Sequence, residues 1–305
     1  MNDVCAVVVT YNRKELLKEN IEALLDQTER NLDILIVDNN STDGTYKYIK
    51  EYIKNKKIEY INTHKNIGGA GGFYTGVKEC VKRKYKYVWL MDDDTIPSRE
   101  ALNSLMKKKE ILRGQFSFIG SVVKFNDEEI CKMNIQTVSN TWLEKYEYIK
   151  CGLVSIKTCS FVSCFINLDV VKIAGLPIKE FFIYADDVEF TIRLSKVLPG
   201  YIDTESIVYH KMKHNVDTNI ICVEKERIDR AFYTYRNIFY VAKKEGTKEI
   251  LMHILRYMYY FFLIIFKAHD NRLKRLKAIT LGFVAGIFFN PKIEKIDEQG
   301  GKEIK

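Results

Sequence analysis

Three consecutive carboxylates, Asp92-Asp93-Asp94, follow the apolar run Tyr87-Val88-Trp89-Leu90-Met91. Held together at the end of a buried strand they repel one another, and they stay ionised only where a cation or solvent offsets their charge. Their oxygens suit Mg²⁺ or Mn²⁺, ions that commonly bridge to a substrate's phosphates. The alternative is a solvated acidic loop, because Thr95-Ile96-Pro97-Ser98 has the composition of a helix start. A second acidic set, Asp186-Asp187-Val188-Glu189, follows Ala185. Carboxylates at a helix N-terminus are favoured by the helix dipole. The chemical reading is a general base, a carboxylate beside a second acid that takes a proton from a hydroxyl. Glu189 would project elsewhere on such a helix, and Arg193, four residues on, is spaced to pair with it. His210 ends a short apolar segment, where an imidazole would complete an Asp/Asp/His metal set; packing is the alternative.

Asn66-Ile67-Gly68-Gly69-Ala70-Gly71-Gly72-Phe73 is the third unusual stretch. Glycines let backbone N–H groups approach a ligand closely, and a helix N-terminus beyond them favours an anion. No Gly-Lys-Ser/Thr follows, so it is not a Walker loop, and its place after the third strand does not fit the dinucleotide fingerprint. A tight turn is the alternative.

The elements around these residues repeat a pattern. Val4-Cys5-Ala6-Val7-Val8-Val9-Thr10 is a continuous apolar run of the kind found in parallel strands buried on both faces. Residues 16–25 have helical spacing, and Ile34-Leu35-Ile36-Val37 is a second buried strand. Turn residues Ser41-Thr42-Asp43-Gly44 precede a helix over 45–54, and residues 58–61 form a third strand. The glycine loop feeds a helix over 73–84, residues 87–91 form a fourth strand, and a helix covers 98–113. Alternating strands and helices imply βαβ units and a largely parallel sheet, whose ligands bind beyond the carboxyl ends of the strands. Thr10, Asp38, Asn66 and Asp92 all fall just past such ends. Later strands are expected at 118–123, 160–166 and 206–209, a helix at 186–194, and a loop or small hairpin over 124–150. From residue 223 the chain reads as helical, which places a division near 220: a catalytic domain over 1–220 and a helical region over 221–305.

With 305 residues, 47% of them hydrophobic and only four prolines, the chain can bury a sizeable core and is neither disordered nor fibrous. The net charge of +8 suits an anionic membrane or a polyanionic small molecule; with the lysines scattered and no nucleic-acid-reading motif, a nucleic-acid partner is not expected. Seven cysteines without a Cys-x-x-Cys pair indicate neither a disulfide framework nor a zinc cluster, and reduced thiols fit the cytosol. The apolar stretch at 254–266, interrupted by Arg256, is at about 13 residues too short to span a bilayer that needs about 20. A second, at 278–289, follows the basic run Arg272-Leu273-Lys274-Arg275-Leu276-Lys277. Such a pair reads either as helices lying on an anionic membrane surface or as an interface with a second copy of the chain, a homo-oligomer.

Taken in order, Val7-Val8-Val9-Thr10-Tyr11-Asn12-Arg13, Ile36-Val37-Asp38-Asn39-Asn40-Ser41-Thr42-Asp43-Gly44, the acidic triplet and Asp186-Asp187-Val188-Glu189 resemble the inverting, nucleotide-sugar-dependent glycosyltransferases of the GT-A fold, glycosyltransferase family 2. Asn66–Phe73, Met91-Asp92-Asp93-Asp94, His210-Lys211 and Tyr235-Arg236-Asn237 are most similar to the bacterial galactofuranosyltransferase branch, with the rhamnosyltransferases, users of dTDP-rhamnose, second. The resemblance implies an α/β, Rossmann-like, mostly parallel sheet flanked by helices, with a helical C-terminal appendage. It implies a UDP-sugar donor, a glycan or lipid-linked glycan acceptor, a divalent Mn²⁺ or Mg²⁺ ion, and work at the cytoplasmic face of the cell membrane. By the same resemblance Thr10, Tyr11 and Arg13 would line the nucleotide pocket and Asp38 would contact uridine. Asn66, Gly68, Gly69, Gly71 and Gly72 would sit against the pyrophosphate and donor sugar, with Asp93 on sugar or ribose. Asp92, Asp94 and His210 would hold the metal, Asp187 would be the base, and Asp186 and Glu189 would bind acceptor hydroxyls. One departure is Tyr184-Ala185 before Asp186, where the polymerising members carry Trp. A nucleotidyltransferase and a non-catalytic membrane-associated binding module are the rival readings.

Overall fold

The computed structural model describes residues 2–215, 220–221 and 223–296. In chain order its elements are β1 (Val4–Thr10), α1 (Lys14–Leu25), β2 (Leu32–Asp38), α2 (Thr45–Lys54), β3 (Glu59–Asn62), α3 (Gly68–Lys82), β4 (Tyr87–Asp92) and β5 (Thr95–Pro97). There follow α4 (Ala101–Leu112), β6 (Phe118–Lys124), α5 (Tyr146–Ile149), β7 (Leu153–Ile156), β8 (Cys164–Asn167), α6 (Leu168–Ala174), α7 (Asp186–Ser195) and β9 (Gly200–His210). Three long helices close the chain: α8 (Ala231–Glu245), α9 (Thr247–Lys267) and α10 (Arg272–Phe288).

The strands form one sheet in the order β3-β2-β1-β4-β8-β6-β9-β5, with β7 also on β9. The first four are mutually parallel, as their apolar runs imply; beyond β4 the pairings are mixed. Strand periodicity sorts β1 cleanly. Val4, Ala6 and Val8 pack with Leu17, Ile21 and Leu24 of α1. Cys5, Val7 and Val9 pack on the other face with Val77, Cys80 and Val81 of α3. Register then places the site: Thr10 lies beside Asp38, and Val9 beside Asp92. Three polar residues therefore share the carboxyl edge of three neighbouring strands.

Two expected elements differ in a way that matters for this edge. The glycines are not a loop. They form the first turns of α3, which begins at Gly68. A Cβ on Gly72 would lie 2.5 Å from Val9 Cγ1, and one on Gly76 would lie 2.3 Å from Val7 Cγ1. Bare backbone lets the helix press directly onto β1, and that packing outweighs glycine's poor helix propensity. Nor does a helix start at Thr95. A residue before proline is disfavoured in helix, so Ile96-Pro97 extends instead. The resulting β5 pairs with β9, setting Thr95 opposite His210. This is what carries His210 to the acidic triplet.

Strand β9 runs for 11 residues, far longer than its apolar signal at 206–209. Its polar first half is satisfied internally. Asp203 accepts from Ser104 Oγ at 2.6 Å, and Ser206 joins a buried chain of hydroxyls with Ser121 and Ser163, which ends on the indole N–H of Trp89. β7 and α6 were not anticipated, although Asn167 caps α6 by accepting from the Asp169 N–H at 3.0 Å. Residues 124–150 hold two short 3₁₀ turns and α5. The six cysteines among the described residues are free; Cys222 lies outside them.

The sheet ends at His210 and helical structure resumes at Lys225, on either side of the expected division at 220. The last helices are not detached. Tyr240 and Val241 of α8 pack with Ala70, Ile178, Phe181 and Ile192 of the catalytic half. The 254–266 stretch proves to be part of a 21-residue helix, long and apolar enough, by length and composition, to cross a membrane. Counting only the apolar run missed its first two turns.

Candidate active site

The acidic triplet turns inward at the edge of β4. Asp93 accepts from Thr10 Oγ1 at 2.8 Å, from the Tyr11 N–H at 3.4 Å and from Arg13 Nη1 at 3.2 Å. The same Arg13 nitrogen donates a short bond to Asp94 Oδ2. Asp94 Oδ1 is buried without a hydrogen-bond partner, and His210 Nε2 stands 3.3 Å away. On the far side of the ring, His210 Nδ1 lies 2.8 Å from Asn134 Oδ1, while Asn134 Nδ2 donates to Ser160 Oγ at 2.8 Å. An amide oxygen can only accept, so Nδ1 carries the proton and Nε2 faces the carboxylates.

These contacts split the three acids electrostatically. Burial, reinforced by the charge of Asp94, pushes Asp92 up to about 7. Burial likewise lifts Asp93 to about 6 against the pull of Arg13. Burial acts on Asp94 too, but His210 and Arg13 outweigh it and hold that carboxyl below its ordinary value. His210 is buried, which lowers its basicity, yet the Asp94 carboxylate beside it, together with Cys131 and Asp92, lifts it to about 10. Without a bound ion, Arg13 and His210 supply the positive charge that the triplet requires.

The second acidic set faces the first. Burial raises Asp186 well above the carboxylate range, and the charges of Asp187 and Asp92 add to it. Asp92 and Asp186 thus share one low-dielectric cleft. Asp187 is more exposed than Asp186. Burial sets it at about 6, against the opposing backbone N–H groups, among them the Val188 N–H on Oδ1 at 2.7 Å. A partly exposed carboxylate poised near neutrality beside a second acid has the properties of a general base.

Most of the other expected site residues have partners within the chain. Glu189 is gripped by Arg193, Nε to Oε1 and Nη2 to Oε2, both at 2.8 Å, and Arg193 also donates to the carbonyls of Ala174, Gly175 and Leu176. That pairing, which the four-residue spacing suggested, fixes the Glu189 carboxylate on α7. Asp38 is equally occupied: it accepts from the Ser41 N–H and hydroxyl at 2.8 and 2.6 Å and from Tyr60 OH at 2.5 Å. These bonds fix the loop beyond β2 and hold the carboxylate at the strand edge where the expected uridine contact would be made. Arg13 spends its guanidinium on Asp93 and Asp94, and Asp93 is committed to Thr10 and Arg13. Asn66, just ahead of α3, accepts from the Gly68 N–H at 2.9 Å. Gly71 and Gly72 serve packing against Ile67 and Val9, whereas Gly69 opens onto free space and Tyr11 is exposed beside the cleft. Asn134 escaped sequence reading because nothing in its polar surroundings marks it.

The fold and these two acidic sets define an α/β enzyme acting at the carboxyl edge of a parallel sheet. Residues 5–172 match the profile of glycosyl transferase family 2, and the chain belongs to that family. It is therefore a nucleotide-sugar-dependent, inverting glycosyltransferase. It is 26% identical over 278 residues to galactofuranosyltransferase GlfT1 of Mycolicibacterium smegmatis, covering 85% of this chain and 89% of that one. Among solved structures it is similar to a mannosyltransferase from Pyrobaculum calidifontis in complex with GDP-Man and Mn²⁺, with a TM-score of 0.57 and 15% identity over 94% of this chain and 76% of that one. It is also similar to GalNAc-T7 with UDP, GalNAc and Mn²⁺, with a TM-score of 0.64 and 12% identity over 93% of this chain and 56% of that one. At these identities the structural likeness speaks for the GT-A fold.

Proposed function

We propose that this enzyme transfers galactofuranose from UDP-galactofuranose to a hydroxyl of a glycan or lipid-linked glycan. The nearness of Asp186, and of Asp187 next to it, to Asp92 of the triplet carries the reading. The likeness to a galactofuranosyltransferase over most of both chains supports the choice of sugar. Asp187 takes the proton of the acceptor hydroxyl as its oxygen attacks the anomeric carbon. The bond from that carbon to UDP breaks on the opposite face, so the configuration inverts. Asp186 orients the acceptor, and Tyr11, Thr10 and Gly69 border the donor.

Among the described residues no group of three or more His, Cys, Asp or Glu side chains is arranged to hold a metal as it stands. The donor chemistry nevertheless fits one. Asp94 Oδ1 is buried without a hydrogen-bond partner 3.3 Å from His210 Nε2, and Asp92 lies near enough to feel the charge of both, a donor chemistry suited to Mn²⁺ or Mg²⁺. Asp92, Asp94 and His210 would hold it, and such an ion offsets the charge of a departing diphosphate. A screen of UDP- and dTDP-sugars with and without Mn²⁺ tests this reading, taking released nucleotide as the signal. Metal-dependent release from UDP-galactofuranose is expected. Preference for dTDP-rhamnose would replace galactofuranose by the second branch, and release of pyrophosphate from a nucleoside triphosphate would overturn glycosyl transfer.

The same reading places the enzyme at the cytoplasmic face of the membrane. Leu251, Leu255, Met258, Phe262 and Phe266 line one face of α9, and all are exposed. A contiguous apolar stripe beside the basic run at 272–277 is the composition of a surface that meets anionic lipid. The Leu255→Glu/Phe262→Glu double variant is expected to bind phosphatidylglycerol vesicles at least about tenfold more weakly than the parent, since each buried aliphatic side chain contributes about 1.5–3 kcal/mol. Equal partitioning of the two proteins would refute the membrane assignment.

A further inference from the structure

The segment that delivers Asp187 is held in an unfavourable backbone conformation. Phe182, Tyr184 and Ala185 have φ of +63°, +66° and +61°. None is glycine, and such residues persist only where their surroundings over-determine them. Ala185 is also the N-cap of α7, so its left-handed turn aims Asp186 and Asp187.

Helix α8 supplies the determination. Asn237 is wholly buried. Its Nδ2 donates to the carbonyls of Phe181, Ile183 and Tyr184 at 3.0, 3.0 and 2.8 Å. Two amide hydrogens shared among three carbonyls fix the path of the chain between them. Arg236 Nε donates to Asn237 Oδ1 at 2.9 Å, which sets the amide the right way round. Arg236 Nη2 adds bonds to the carbonyls of Glu180 and Phe181 at 2.7 and 3.1 Å, and its guanidinium stacks 4.0 Å from the centre of the Phe289 ring. From the other side the Ala70 N–H donates to Phe182 O at 3.1 Å.

We propose that Asn237, oriented by Arg236, is a positioning residue for the transfer reaction: it clamps the left-handed segment over 182–185 and so holds Asp187 against the acceptor. The inference rests on the reading of Asp187 as the base. It makes α8, which lies outside the matched family region of residues 5–172, part of the catalytic apparatus. The C-terminal helices then do more than anchor the enzyme.

Asn237→Asp tests it, because the carboxylate keeps the volume and the bond from Arg236 but has no hydrogen to give the carbonyls. In the full-length enzyme kcat should fall about 10²-fold, the usual cost of a misplaced catalytic group. UDP affinity should stay within about twofold, since the nucleotide edge is built from β1, β2 and β4. Amide exchange across residues 182–189 should quicken, and Asn237→Ala should show the same pattern. Parent-like kcat in Asn237→Asp would overturn the clamp, as would a loss of UDP binding as large as the loss of kcat. If Asp187→Asn stays active, the base reading fails, while faster exchange in Asn237→Asp still reports the clamp. If Asp187→Asn is inactive and Asn237→Asp is normal, the base reading stands and the clamp falls.

Discussion

Asp187→Asn is expected to lower turnover by about 10²–10⁴-fold, the range general-base catalysis contributes, while UDP binding changes little. The amide keeps the shape and can still accept the Val188 N–H that Asp187 Oδ1 receives, but it cannot take a proton. Because Asp187 sits at about 6, turnover of the parent enzyme should fall as pH drops below that value. Stability should move the opposite way. The folded pKa is raised from 3.8 to about 6 by burial. The protonated form therefore favours folding, and that advantage is full below about pH 4 and lost as pH rises through about 6. Replacing Asp187 removes the penalty of the buried charge. The asparagine variant should thus be more stable than the parent at pH 7, by on the order of 1–3 kcal/mol, with little difference at pH 4. Thermal melts at the two pH values, read beside turnover, check both halves. A variant that is active, or less stable only at pH 7, contradicts the assignment.

Gly68→Ala should be the most damaging glycine substitution near the site. Gly68 has a φ of +75°, and a Cβ there would lie 2.0 Å from the Phe182 carbonyl oxygen and 2.8 Å from its ring. Neither neighbour can retreat, because Phe182 O accepts the Ala70 N–H and the ring stacks on Tyr233 at 5.0 Å. Left-handed strain plus a backbone clash should cost about 3 kcal/mol or more, a fall in Tm of about 5 °C or more. Gly69→Ala is the control. Nothing lies within 4 Å of its Cβ and its φ is ordinary, so the change should be within about 0.5 kcal/mol. Equal melting temperatures for the two variants would show that α3 is not wedged against the strained segment.

What the sequence revealed follows from how each residue is buried. The runs at 4–10, 34–37 and 87–91 are apolar on both faces because α1 and α3 cover the sheet, and such runs are unmistakable. Their register alone brings Thr10, Asp38 and Asp92 together. Strand β9 was half hidden because Asp203 and Ser206 are buried polar groups satisfied by Ser104 and Ser121. A hydropathy pattern cannot distinguish these from solvent-facing residues. The glycine helix was read as a loop because only its contact with β1 explains it. The partners of Asp38 and Glu189 differ in legibility: Arg193 lies one helical turn from Glu189, whereas Tyr60 reaches Asp38 only through the pairing of β2 with β3. Tyr235-Arg236-Asn237 stands out only by resemblance: the contacts of Asn237 are three carbonyls more than 50 residues upstream, which no local pattern shows.

The choice of donor is tested most directly by comparing kcat/KM for UDP-galactofuranose, UDP-galactopyranose, UDP-GlcNAc and dTDP-rhamnose, each with Mn²⁺ and followed by nucleotide release. A site built to hydrogen-bond one sugar's hydroxyls rejects analogues that leave its buried polar groups unpaired. UDP-galactofuranose should lead the other donors by at least about 10²-fold, and Asp187→Asn should slow turnover with every donor. Equal or faster turnover of any other donor by the parent enzyme would contradict the account.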